Sequence, residues 1–339
     1  MIIQLSKEIS SEQKEIIIHE VSKIGYHPSE VKTQFAHYII AVGKAEFDIR
    51  KIGNLTGIID IHRVSDPYKL VSKKWRVYDT EINLGDNIYI NRKQLSIIAG
   101  PCSIESPEQI DHSIAHLKAN NIRMMRGGVF KPRTSPYAFR GVGLEGLKVF
   151  SEKCKANGIK IVTEVMQVSQ VEEMHDFVDI FQVGTRNAQN FNLLDALGKT
   201  DKAVMLKRGF SGTIEELLQA AEYVFSNGNE NIILCERGIR SFETAYRNTL
   251  DLNAVPILKE KSHLPVIVDP SHGVGLRNYI EPMALAAVMS GADGIIMEVH
   301  QCPEKAISDG QQTLNYPEAT QLYSHLHQAY ALKKSFNGV

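Results

Sequence analysis

Eight short stretches decide the fold: SIIAG (96–100), IRMMRG (122–127), IKIVTE (159–164), DIFQVG (179–184), AVMLKRG (203–209), NIILCERG (231–238), PVIVDPSH (265–272) and DGIIMEVH (293–300). Each is an apolar, mostly β-branched run closed by Gly, Pro or charge, the pattern of a strand buried on both faces. Helical patterns at 107–120, 145–157, 213–226 and 279–291 lie between them. The order is therefore βα repeated, and residues 95–339 are predicted to close into a (β/α)8 TIM barrel, a fold of about 250 residues. A doubly wound open sheet shares this alternation, but no glycine-rich dinucleotide turn follows the first run.

Upstream the pattern changes. MIIQL (1–5), a helical period through Ile16, Ile17, Val21 and Ile24, VKTQF (31–35), HYIIAV (37–42), a short helix over 44–53 and GIIDIHRV (57–64) give the order βαββαβ. That order predicts a small ferredoxin-like domain over 1–64. Ser10 and Gln13 stand at capping-box spacing ahead of its first helix. Residues 65–94 are polar, contain Pro67 and Trp75, and read as a linker with a short hairpin near its end.

Composition narrows the function. Of 339 residues 43% are hydrophobic and 23% charged, within the range of globular chains and outside that of disordered or fibrous ones. Lys plus Arg number 38 against 39 Asp plus Glu, so no overall positive field draws the chain to nucleic acid or anionic lipid. Apolar runs such as MALAAVM (283–289) fall far short of the ~20 residues of a membrane span. The start, MIIQLSKEIS, has no basic leader with a long apolar region, and a cytoplasmic location is expected. Four widely spaced cysteines form no C-x-x-C pair, against a disulfide framework or a zinc knuckle.

Barrel enzymes carry their chemistry where strands pass into βα loops. Two groups of residues follow the eight runs. Arg126, Lys131, Arg133, Arg186, Lys207 and Arg237 would repel one another around one mouth unless anions sat among them, and forked guanidiniums fit phosphate and carboxylate oxygens. Cys102, His272, Glu298 and Asp309 offer sulfur, nitrogen and oxygen ligands that suit Mn, Fe, Co or Zn, and closure of a barrel brings the first, seventh and eighth strand ends together. Cys154, Cys235 and Cys302 are assigned to packing or loop roles. A metal beside a phosphate cradle serves carbonyl polarisation in carbon–carbon bond chemistry, or phosphate hydrolysis.

The motifs AGPCSIES (99–106), RGGVFKPRTSPYAFRG (126–141), QVGTRNAQNF (182–191), LKRGFSGT (206–213), ILCERG (233–238) and DPSHGVG (269–275) occur in family order. Through them nearly the whole chain resembles 3-deoxy-D-arabino-heptulosonate-7-phosphate (DAHP) synthase in its compact form with an N-terminal ferredoxin-like regulatory domain. The resemblance implies condensation of phosphoenolpyruvate with erythrose 4-phosphate, releasing phosphate, as the first committed step toward aromatic amino acids. It implies that Cys102, His272, Glu298 and Asp309 bind the divalent metal. Arg126, Lys131, Arg186, Lys207 and Arg237 match the phosphoenolpyruvate positions, and Lys131, Pro132, Arg133 and Thr134 the erythrose 4-phosphate loop. Lys131 is the expected proton donor to the nascent alkoxide, and Glu164 the residue expected to position the attacking water. A homotetramer and an aromatic amino acid effector at the N-terminal domain are also implied.

The related 3-deoxy-D-manno-octulosonate-8-phosphate synthase uses arabinose 5-phosphate and carries Ala-Asn-Arg-Ser after the loop lysine, where this chain has KPRTS (131–135). Its metal-free members replace the cysteine with asparagine, so Cys102 argues for a metal under either reading. A fused chorismate mutase is all helical, and residues 1–62 do not match one. A non-catalytic scaffold partner of a separate chorismate mutase would be free to lose metal or phosphate residues, and none of those named is missing.

Overall fold

The computed structural model describes residues 1–44, 48–132, 135 and 137–336. Arg133 and Thr134 of the expected sugar loop, and part of the expected 44–53 helix, lie outside them. In the N-terminal region β1 (Ile2–Leu5), α1 (Ser11–Lys23), β2 (His27–Lys32), β3 (His37–Val42), α2 (Arg50–Gly53) and β4 (Ile58–His62) follow the expected order. The strands form an antiparallel sheet ordered β2-β3-β1-β4. Ser10 and Gln13 make the expected capping box at the start of α1. One face of the sheet closes on α1 and α2 through Ile3, Leu5, Ile17, Val21 and Ile52.

Two expectations shift. The strand placed at VKTQF runs instead over His27–Lys32, because Thr33 Oγ1 accepts from Phe35 N and Ala36 N and turns the chain there. Pro28 is tolerated because β2 is an edge strand. The segment read as a linker is a packed clamp rather than a tether. Leu70 and Val71 are fully buried, their N–H groups donate to the Glu222 carboxylate, and Trp75 Nε1 donates to Leu70 O. The hairpin β5 (Ile82–Asn83) and β6 (Tyr89–Ile90) is present as expected.

The barrel strands are β7 (Ser96–Gly100), β8 (Met124–Arg126), β9 (Lys160–Val165), β10 (Ile180–Val183), β11 (Ala203–Lys207), β12 (Ile232–Glu236), β13 (Val266–Val268) and β14 (Gly294–Glu298), parallel and closed through β14–β7. Around them lie α3 (Pro107–Ala119), α4 (Gly143–Ala156), α5 (Val168–Met174), α6 (Phe191–Gly198), α7 (Ile214–Ser226), α8 (Ala254–Lys261), the short α9 (Pro270–Val274), α10 (Ile280–Ser290) and α11 (Tyr316–Phe336). Inward side chains Ile98, Met124, Val162, Ile180, Met205, Ile233, Ile267 and Ile296 fill the lumen, and Ile82, Ile88 and Ile90 of the hairpin extend that core. Lys160 at the start of β9 pairs with Asp86 at 2.9 Å, which places the hairpin as a plug under the N-terminal ends of the strands. The opposite, C-terminal end stays open for chemistry.

The N-terminal sheet also rests on that closed end. Glu230, 1% exposed and just ahead of β12, accepts from Thr33 Oγ1 at 2.5 Å and Arg76 Nη1 at 2.7 Å, and Tyr38 packs edge-on against Trp75. His263 is central to this junction. One ring nitrogen meets Thr80 Oγ1 at 2.7 Å and the other donates to Leu70 O at 2.9 Å. Burial, aided by Arg76, lowers its pKa from 6.5 to about 3, so the folded protein refuses a proton that the unfolded chain accepts. Stability is therefore lost as pH falls from 6.5 toward 3, by about 1.4 kcal/mol per pH unit from this group. Thermal melts between pH 7 and pH 5 will show a shallower loss for His263→Gln than for the parent, although the variant starts lower.

Candidate active site

Four of the barrel strands, β8, β11, β12 and β14, end on a charged residue, and the loops after the others add more at the open mouth. Arg126 ends β8, Lys207 ends β11 and Glu298 ends β14, all buried. Cys102, Lys131, Arg186 and Arg237 stand on the loops that follow β7, β8, β10 and β12. Asp269 caps α9 by accepting from His272 N at 3.0 Å, an Asp-Pro start that holds His272 at the mouth.

The four candidate ligands do come together. One donor atom from each of Cys102, His272, Glu298 and Asp309 lies within 4.8 Å of the others. Cys102 Sγ donates to Asp309 Oδ2 at 3.1 Å, and His272 Nε2 is 3.4 Å from Glu298 Oε1. His272 Nδ1 is committed to Asp269 Oδ2 at 2.8 Å, so Nε2 turns its lone pair toward the cluster. Burial, reinforced by Glu298, pushes the Cys102 thiol up to about 12, while the Glu298 carboxyl, which burial alone would raise, is held down to about 2 by His272 and Arg126. A buried sulfur, imidazole and two carboxylates with a fixed histidine tautomer fit a divalent transition metal that would displace the thiol proton.

The cations divide into two kinds. Arg126 pairs with Glu298 at 2.5 Å and Lys207 with Asp269 at 2.5 Å, both nearly sealed from solvent. Arg186 and Arg237, among the described residues, have no carboxylate within ion-pair distance. Their guanidinium carbons stand 5.5 and 5.2 Å from the centre of the Phe210 ring, which Arg240 approaches at 4.3 Å. Arg237 is 2% exposed with an unpartnered Nε, and burial lowers its pKa. A buried charge without a counter-charge is costly, and an anion in the cleft is what relieves it. Lys131 Nζ donates to Cys102 Sγ at 3.0 Å and to Cys102 O at 3.1 Å, so it bridges the cation group and the ligand cluster. Pro132 and Glu164 line the same cleft. Burial raises the Glu164 carboxyl even against the pull of Lys131 and Lys207.

Several residues were not singled out from sequence. Asp269 joins Lys207 to His272. Gln312 Nε2 donates to Glu298 Oε2 at 2.7 Å, and Arg247 Nη1 donates to Gln312 Oε1 at 2.6 Å and lies 3.4 Å from Asp309 Oδ1. Asp269 had a local signal, its N-cap spacing to His272, but Arg247 and Gln312 had none. Cys154 and Cys235 are buried in α4 and β12 and Cys302 lies in a loop, as expected.

The fold and the mouth together present a (β/α)8 barrel with a cation-rich cleft beside a four-donor cluster. The signature of the DAHP synthetase I family matches residues 78–334, and the chain belongs to that family. A phospho-2-dehydro-3-deoxyheptonate aldolase of Thermotoga maritima is 48% identical over 266 residues, 78% of each chain. The crystal structure of a DAHP synthase from Thermotoga maritima covers 98% of both chains at 42% identity and a TM-score of 0.78. A 2-dehydro-3-deoxyphosphooctonate aldolase of Syntrophobacter fumaroxidans is more distant, 33% identical over 72% of this chain and 89% of its own.

Proposed function

We propose that the mouth joins phosphoenolpyruvate to erythrose 4-phosphate, with Arg126, Lys131, Arg186, Lys207 and Arg237 holding the first substrate and Lys131, Pro132, Arg133 and Thr134 the second. Membership of the family makes the chain a DAHP synthase. The observation that carries the site assignment is the pair Arg186 and Arg237, braced on Phe210, without a carboxylate partner among the described residues, and next to the four-donor cluster. Cys102, His272, Glu298 and Asp309 would hold the metal, and a cation there would supply Lewis acidity to the aldehyde oxygen.

The remaining steps belong to the chain's own groups. The guanidiniums and Lys207 orient the enol phosphate so that its C3 meets the aldehyde carbon, and Lys131 Nζ delivers a proton to the oxygen that becomes the alkoxide. Positive charge then develops at C2. Glu164 orients the water that adds there and takes one of its protons. The C2–O bond to phosphate then breaks, the departing phosphate carries off the remaining hydroxyl proton into the arginine cradle, and C2 is left as a ketone. Preorganised donors of this kind contribute about 3 kcal/mol each to the transition state.

In this reading residues 1–64 are a ferredoxin-like regulatory domain for an aromatic amino acid, residues 65–94 clamp it to the barrel at 95–339, and the enzyme works in the cytoplasm as a homotetramer. No helix among the described residues is long and apolar enough to cross a membrane. The test is phosphoenolpyruvate consumption by chelator-treated protein with and without Mn²⁺, with erythrose 4-phosphate or arabinose 5-phosphate. Loss is expected with erythrose 4-phosphate and Mn²⁺ together. Turnover with arabinose 5-phosphate would overturn the sugar assignment, and undiminished turnover without Mn²⁺ would overturn the metal one.

A further inference from the structure

Gly184 follows β10 at φ −69°, ψ 158°, backbone that any residue adopts. Conformational freedom does not account for a glycine there, but space does. A methyl carbon built on Gly184 would lie 1.9 Å from Glu164 Oε1, 2.7 Å from its Cδ and 3.4 Å from Oε2, and these are its three nearest atoms. The register explains the approach. Gln182 pairs opposite Glu164, so Gly184 is two residues further on the same face of β10, toward the mouth where the Glu164 side chain leans. Among the described residues the Glu164 carboxylate has no hydrogen bond and no ion pair. Lys131, Lys207, Arg126 and Arg186 surround it at electrostatic range without fixing its orientation.

We propose that Gly184 is a positioning residue, whose missing side chain forms the seat of the Glu164 carboxylate at the mouth. The proposal rests on the reading of Glu164 as the group that orients the attacking water. A carboxyl end can swing away where a backbone atom cannot, so Gly184→Ala keeps the fold and moves the carboxylate by an ångström or more. Displacement on that scale costs about 10² in rate when a reacting group must be aligned.

The test is a double-mutant cycle of Gly184→Ala with Glu164→Asp, whose side chain is one methylene shorter and vacates the contested space, with Glu164→Gln as a separate control. Gly184→Ala is expected to lower kcat about 10- to 100-fold with KM for phosphoenolpyruvate within about two-fold, and to cost less than about three-fold more in the Glu164→Asp background. Any lowering of Tm by Gly184→Ala is likewise expected to be recovered by Glu164→Asp. Equal losses in both backgrounds, or a rise in KM at unchanged kcat, would overturn the proposal. Full activity of Glu164→Gln would instead overturn the role of Glu164, and an inactive Glu164→Gln beside a fully active Gly184→Ala would remove the seat alone.

Discussion

Changing Asp269 to asparagine will lower kcat/KM by about three orders of magnitude or more and weaken Mn²⁺ binding about 10- to 100-fold. The carboxylate is 1% exposed, and Oδ2 accepts from Lys207 Nζ at 2.5 Å and His272 Nδ1 at 2.8 Å. Burial alone would raise its pKa, yet His272 and Lys207 hold it well below the carboxylate range, so it is charged at any working pH. An asparagine has one acceptor oxygen and an NH₂ group, whereas all three groups facing the Asp269 carboxylate are donors: Lys207 Nζ and His272 Nδ1 at Oδ2, and His272 N at Oδ1. With the amide oxygen in the place of Oδ2, the NH₂ meets His272 N and the cap of the His272 turn is lost. With the NH₂ there, both Lys207 and the His272 ring lose their acceptor. Either way the buried ammonium loses its counter-charge, a change worth about 3–5 kcal/mol, and the hold on the His272 ring that leaves Nε2 free for the cluster is weakened. Calorimetric titration with Mn²⁺, read beside kcat/KM, separates the outcomes, and parental Mn²⁺ affinity in a folded Asp269→Asn would show that Asp269 does not orient the histidine.

Asp269 also marks how far a linear reading reaches. The barrel was legible because its strands are short apolar runs and because each passes into Gly, Pro or charge, a pattern that depends on local sequence alone. The cation group and the four candidate ligands were legible for a related reason, since they sit at those ends or in the loops that follow them. What stayed hidden are bonds between distant segments. The Gln312 link between Glu298 and Arg247 exists because a loop after β14 returns beside the loop after β12. The clamp at 65–94 has its few apolar residues spaced without period, and their burial is decided by α7 and by His263 beneath the barrel. Gly184 looks like any loop glycine until Glu164 is placed against it.

Lys131→Met is expected to leave Tm unchanged or higher while removing about three to four orders of magnitude of turnover. Lys131 is 8% exposed and, among the described residues, its ammonium has no carboxylate partner; it donates to the Cys102 thiol and carbonyl. Arg126 stands nearby, with its own positive charge matched to Glu298. Among the described residues this buried ammonium thus has no directly paired carboxylate, only Glu164 and Glu298 at longer electrostatic range, and an apolar side chain of similar length relieves the cost of burying it. Turnover depends on the charge the fold would be better without. Its loss removes a proton donor, worth about 10²–10⁴, and a cation shared by both substrates, worth about 10²–10³, with the two terms overlapping because one atom serves both. Thermal melts and single-turnover rates on the same preparation decide the matter. A Tm lower by several degrees would show that Lys131 holds the mouth together, and a rate within ten-fold of the parent would show that the proton reaches the alkoxide by another route.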